Sequence, residues 1–312
     1  MDNYTKEILT ILKNAYEATV GVHPYQDESE TRNYYLKDLN DNLYKPMDSL
    51  ALSAYGKNEI ASGKMNALRS SSALTYNLFW DSIAEINTSS DRTGKGCYGV
   101  EFEKQYLTLR PSASNIPAHL DALLYCKDTC EAVALEMKMT EWIFNKPGTL
   151  RKKYLDASNY LNGKAGELFV SLAKELILHN DYDDPDLIKD EYPCIMSRYD
   201  AFQMFKHTVA CYNACLLEEQ KKIEKLTLVN CAWTLSKPEL LSEKHRARYL
   251  LEEECEKREF KEFARIMEPV KKLFSDIGVD FDISFFTLNE FLSLLNKDKN
   301  EISYLRRYTF DN

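Results

Sequence analysis

Two β-rich runs, residues 118–126 and 132–140, are separated by Lys127, Asp128, Thr129, Cys130 and at most Glu131, and this spacing constrains the fold more than any other stretch of the chain. So short a link joins neighbouring strands only as an antiparallel hairpin. If Cys126 pairs with Glu131, Asp121 lies directly opposite Glu136. Opposed residues have Cβ atoms about 4.5–5.5 Å apart, so the two carboxylates can reach one cation. Period-two alternation puts Lys138 on the same face as Glu136. The other face, Leu120, Ala122 and Leu124 with Val133, Leu135, Met137 and Met139, is apolar and suits a core.

Two facing anions repel, so the arrangement calls for a metal or a proton. Oxygen ligands suit Mg²⁺ or Mn²⁺, and Mg²⁺ completes its shell with water and substrate phosphate. That is the pattern of metal-assisted phosphodiester hydrolysis, with Lys138 orienting the water or offsetting charge on the phosphate. The competing reading is a solvated strand face with an ordinary surface ion pair.

The flanking sequence surrounds this hairpin with further elements. Ile8, Leu9, Ile11, Leu12 and Tyr16 form one helical stripe behind Thr5, a candidate N-cap, and residues 21–46 read as a polar loop. Residues 58–86 repeat apolar side chains at helical spacing and predict a first core helix; residues 98–110 alternate as a strand. After the hairpin come a helix over 150–178, an acidic loop over 180–190, a helix over 198–222 and a buried strand over 226–233. Ser236-Lys-Pro-Glu239 reads as a capping box opening a long charged helix to about residue 275. A strand over 279–286 follows, and Thr287-Leu-Asn-Glu290 reads as a second capping box.

Charge and cysteine usage narrow the partners. A net charge of −9 excludes a protein that coats nucleic acid indiscriminately, yet leaves room for a local basic groove. Candidate contributors are Arg151, Lys152 and Lys153; Lys221, Lys222 and Lys225; His245, Arg246 and Arg248; and Arg306 and Arg307, each competing with a plain solvated helix face. The eight cysteines lack zinc-knuckle spacing and read as reduced thiols. No apolar stretch approaches the roughly 20 residues of a transmembrane helix, and no secretory leader is visible, so a cytoplasmic protein is expected.

Asp121, the hairpin and Glu136-Met-Lys138 together resemble the D…ExK signature of the PD-(D/E)XK nuclease superfamily, with Leu120 where the family name has proline. The run from Leu68 to Phe79 (Leu-Arg-Ser-Ser-Ser-Ala-Leu-Thr-Tyr-Asn-Leu-Phe) and the phrase Glu136-Met-Lys-Met-Thr-Glu141 are similar to a bacterial branch of restriction-endonuclease-like proteins, most of them predicted nucleases. Gln203-Met-Phe-Lys-His207 is similar to the QxxxY element of RecB-like nucleases, with His207 where tyrosine is usual. Glu103 matches an extra acidic metal ligand of such families, and Glu101 shares its strand parity.

The resemblance covers residues 64–233. It implies an α/β fold: a restriction-endonuclease-like αβββαβ core, with a mixed sheet of four to five strands flanked by helices, plus helical elaborations. Residues 1–60 would form an N-terminal elaboration, and 61–312 the nuclease-like domain with an insertion at about 148–198. It further implies a Mg²⁺- or Mn²⁺-dependent nuclease acting on DNA in preference to RNA. Asp121, Glu136 and Lys138 would be catalytic, Asp121, Glu136 and Glu103 would bind metal, and Gln203 and His207 would meet substrate. A second copy of the chain or another protein partner is compatible with this, and the alternative is a non-catalytic nucleic-acid-binding or assembly module on the same fold.

Overall fold

The computed structural model describes residues 1–27, 33–87, 93–114, 116–144, 146–178, 190–217 and 222–310. All of the expected acidic loop except Asp190, and Lys221 among the candidate basic residues, lie outside these. The chain opens with α1 (Asn3–Thr19), whose N-cap is Asp2 and not Thr5: Asp2 Oδ1 accepts from the Thr5 N–H at 2.8 Å. Its stripe, Tyr4, Ile8, Leu9 and Leu12, is buried in the same core as the sheet.

The expected helix over 58–86 is several elements. α2 (Ser49–Tyr55) continues into one π turn, Gly56–Ile60; Gly63 then takes a left-handed φ of 69°, and a 3₁₀ turn follows. Ser70 caps α3 (Ser71–Leu78), and β1 (Ile83–Ile86) begins after a turn at Ser82. The apolar repeat reported burial correctly, since Met65, Leu68, Tyr76 and Phe79 are all buried, but from elements on both sides of a turn.

β2 (Gly96–Tyr106), β3 (Ala118–Cys126) and β4 (Glu131–Lys138) form the expected meander, with β1 added along the outer edge of β2. A short α4 (Glu141–Phe144) follows. The insertion is less helical than its composition suggests. β5 (Thr149–Arg151) pairs with β6 (Glu191–Pro193), 3₁₀ turns intervene, and α5 runs only over Gly163–Leu176, capped by Asn162.

α6 (Ala201–Leu216), buried nearly all round, carries the chain from β4 to β7 (Lys225–Ala232), which lies parallel to β4. A parallel pair needs such a crossover, and a strand covered on both faces reads as an unbroken apolar run, as Leu226 to Ala232 nearly does. α7 (Glu243–Met267) and α8 (Val270–Asp276) make the next crossover to β8 (Asp280–Thr287), parallel to β7. The protein is thus mixed α/β with a six-stranded sheet in the order β1-β2-β3-β4-β7-β8, one strand more than expected because β1 lay inside the run read as helix.

The two capping-box readings part company. Thr287 and Glu290 exchange both hydrogen bonds and start α9 (Leu288–Leu294). Ser236 instead donates to the Thr309 carbonyl, Pro238 only supports a 3₁₀ turn, and α7 starts later, after Ser242. α10 (Lys299–Thr309) was not expected; its acidic and basic residues mask the buried positions Leu305, Arg307 and Tyr308. No helix among the described residues is long and apolar enough to cross a membrane, and all eight cysteines are free.

Candidate active site

Pairing between β3 and β4 runs from Cys126↔Glu131 to Ala122↔Leu135, the register the hairpin spacing required. The next position sets Asp121 against Glu136, and there the regular ladder stops. Asp121 Oδ2 instead accepts from the Met137 N–H at 2.6 Å. The β2–β3 ladder is interrupted at the same residue: it pairs Phe102 with Ala122, resumes at Lys104 with Leu120, and skips Glu103 and Asp121. Glu103 has φ of 49°, a conformation uncommon for a side-chain-bearing residue. Asp121 has therefore lost regular pairing on both sides. Glu103, Asp121 and Glu136 follow one another across three neighbouring strands, and the β4–β7 register continues the row to Asn230.

This row borders a cleft of about 660 Å³ whose walls include Glu103, Asp121, Glu136 and Lys138 from the sheet and Arg69 and Ser71 at the start of α3. Lys138 Nζ is 2.8 Å from Glu136 Oε1 and donates to Gln203 Oε1 at 2.5 Å; Gln203 Nε2 donates to Glu136 Oε1 at 2.6 Å. One helical turn on, the His207 Nε2 lies 3.0 Å from Glu136 Oε2, without the alignment of a good hydrogen bond. Gln203 is thus turned onto Glu136 and Lys138 and His207 onto Glu136, and His207 is buried. Asp200 sets the first turn of α6 by accepting from the Gln203 N–H at 3.1 Å.

The two carboxylates are in opposite electrostatic situations. Burial, then the charges of Glu136 and Glu103, push the Asp121 carboxyl well above its usual range. Burial works the same way on Glu136, but Lys138 and His207 outweigh it and hold that carboxyl down at about 2. Burial lowers the affinity of Lys138 for its proton, yet Glu136, Asp200 and Glu141 more than reverse this. Lys138 is therefore a cation and a donor, not a base.

The residues suit a divalent cation in number and kind. Glu136 Oε1 is occupied by Lys138 and Gln203, while Oε2 faces only His207 and keeps a lone pair; Asp121 Oδ1 has no hydrogen-bond partner among the described residues. Two carboxylates plus water and phosphate are an ordinary Mg²⁺ shell. Among the described residues no three Asp, Glu, His or Cys side chains form a ready-made metal cage. Glu103 also lines the cleft, and its Oε2 lies 3.6 Å from His119 Nδ1. Glu101 is bonded to Lys104 at 2.7 Å.

Several residues here were not anticipated. The buried Tyr55 hydroxyl has no hydrogen-bond partner among the described residues, and burial and the charges of Asp121 and Glu103 push it well above its ordinary value. Asn230 Nδ2 and Glu141 Oε2 are likewise buried without hydrogen-bond partners among the described residues. Arg69 was visible only inside the run from Leu68 to Phe79, where it immediately precedes the cap Ser70; Tyr55 lay in a stretch with no pattern at all. Of the candidate basic groups, Arg151 and Lys153 stand next to the cleft. Lys222 pairs with Glu224, Lys225 with Glu131, His245 with Glu7 and Arg248 with Asp2 and Glu252, and Arg307 is buried.

In comparisons with known proteins, the chain matches no family model, no curated protein and no solved structure.

Proposed function

We propose that the protein is a Mg²⁺- or Mn²⁺-dependent nuclease that hydrolyses phosphodiester bonds, with DNA preferred over RNA on the strength of the sequence resemblance alone. The observation that carries this reading is the double interruption at Asp121. Two neighbouring ladders give up a pairing position so that carboxylates can stand in a row beside a protonated lysine, a costly arrangement for a sheet whose only task is to pack.

When bound, the metal supplies Lewis acidity toward a phosphoryl oxygen and a more acidic water. Asp121 and Glu136 would hold it. Lys138, kept charged by three carboxylates, donates toward the oxygens on which negative charge builds. Gln203 clamps Glu136 and Lys138 to one another, so that neither must reorganise during the reaction. Arg69, which has no hydrogen bond or ion pair among the described residues, offers the cleft a cation for the phosphate backbone.

The test is incubation of supercoiled plasmid, single-stranded DNA and RNA with Mg²⁺ or Mn²⁺, using wild type, Asp121→Ala and Lys138→Ala. Metal-dependent cutting lost in both variants supports the reading; a wild type that binds no metal refutes it. The second reading, a non-catalytic nucleic-acid-binding or assembly module, draws on the fact that Lys138, Gln203 and His207 already satisfy much of Glu136. It expects nucleic-acid binding that is indifferent to divalent cations and to Asp121→Ala.

A further inference from the structure

Beside the cleft, and sharing His119 and Gln203 with it, lies a second cavity of about 450 Å³. Three cations from two parts of the chain line it: Arg151 on β5, Lys153 on the 3₁₀ turn that follows, and Lys206 on α6. Two carboxylates share the lining. Glu191 accepts from the Thr149 hydroxyl at 2.6 Å and sits 3.4 Å from Arg151 Nε, and Asp200 is engaged in capping α6. Lys153 Nζ donates to Ser114 Oγ at 2.7 Å. Lys206, half-buried, has no hydrogen bond or ion pair among the described residues.

In a chain of net charge −9, three cations gathered around one cavity that holds two carboxylates leave it an excess of positive charge. Burial pushes the Lys206 amine below its ordinary value, with Asp200 and Glu191 opposing and Arg151 and Lys153 adding to the lowering; Lys153 is lowered by burial and then by Arg151. An incoming phosphate would offset both costs, through charge-assisted hydrogen bonds from ammonium and guanidinium groups.

We propose that this cavity is a phosphate subsite contributed mainly by the insertion, in which Arg151, Lys153 and Lys206 hold a phosphate of the substrate strand neighbouring the one cut at Asp121 and Glu136. The proposal rests on reading the adjoining cleft as a nuclease site. Its chemistry fits a strand-internal phosphate or a terminal phosphomonoester.

The experiment measures binding, not turnover, so that it is separable from catalysis. Fluorescein-labelled single-stranded oligonucleotides with a 5′-phosphate, a 3′-phosphate or hydroxyl ends, and a circular form, are titrated by anisotropy without divalent metal at several salt concentrations. Lys153→Ala with Lys206→Ala is expected to weaken binding roughly tenfold or more and to reduce the salt slope by about 0.7, the contribution of one phosphate on a single strand. Lys153→Arg with Lys206→Arg should retain most of the affinity, and a double change of the exposed Lys272→Ala and Lys299→Ala should have no effect. A loss on every substrate assigns an internal phosphate; a loss confined to phosphorylated ends assigns a terminal one. Unchanged affinity and slope in the alanine double variant overturn the subsite, even if wild type cuts DNA. A wild type that neither binds nor cuts removes the nuclease reading and the subsite with it.

Discussion

Asp121 accepts a hydrogen bond from the backbone N–H of Met137 at 2.6 Å, so the side chain of one strand occupies a donor that a regular ladder would give to backbone. The hydrogen bond needs an acceptor oxygen but not a charge, whereas metal binding needs the charge. Asp121→Asn should therefore keep the fold while losing divalent-metal binding and about 10²–10³-fold or more of any cleavage rate. Because Asn also removes repulsion from Glu136 and Glu103, thermal stability at neutral pH should be equal to wild type or higher by a few degrees. Calorimetric Mn²⁺ titration and thermal melts check both. A folded Asp121→Asn protein that binds Mn²⁺ like wild type would remove Asp121 from the site.

Gln203 touches both Glu136 and Lys138 without itself carrying charge, which makes it a positioning residue. Partners that orient metal ligands typically contribute 10–100-fold to affinity or activity. Gln203→Ala should lower kcat by roughly that factor with a smaller change in KM, and weaken Mn²⁺ binding in parallel. A loss seen purely in KM would instead place Gln203 on the substrate, where the sequence resemblance put it.

The site was legible where its geometry followed from strand arithmetic. Four intervening residues, 127–130, fixed the hairpin register, and the register brought Asp121, Glu136 and Lys138 together before any three-dimensional information. What was illegible depended on distant packing. Nothing in the residues around Tyr55 indicates that its buried hydroxyl comes within the field of Asp121 and Glu103, and the parity of Glu103 with Glu101 could not show which one takes the left-handed turn that breaks the ladder. The helix over 58–86 failed for a different reason. Periodic burial survives a turn if the elements on both sides face one core, so spacing alone could not locate Gly63 or Ser82.

Arg307, a candidate phosphate contact by composition, is a structural residue. Its guanidinium is buried, donates to the Tyr304 hydroxyl at 2.8 Å and to Asn42, and lies 4.6–5.2 Å from the ring centroids of Tyr16, Tyr304 and Tyr308. It ties α10 to α1 and to the loop before α2. Arg307→Ala removes these cation–π contacts and takes the Arg307 donor from the buried Asn42 Oδ1, for a loss of about 3 kcal/mol. Denaturant unfolding should show that loss, while the salt dependence of oligonucleotide binding stays as in wild type. A reduced salt slope with unchanged stability would return Arg307 to the surface.

Glu256 on α7 offers a pH test that is independent of catalysis. Its carboxyl is buried, Oε2 has no hydrogen-bond partner among the described residues, and burial followed by the charge of Glu253 pushes it well above its usual value, with Lys138 only partly opposing. A raised acid binds its proton more tightly when folded, so its contribution to stability is fully present below the unfolded value of about 4.3 and disappears as pH climbs through the folded value. Glu256→Gln mimics the protonated form at every pH. The variant and wild type should melt at similar temperatures near pH 4, with the variant increasingly more stable as pH rises toward 8. The opposite trend, a variant that becomes less stable than wild type as pH rises, would mean that ionised Glu256 is paired with Lys138 and that the lysine's charge is shared between Glu136 and α7.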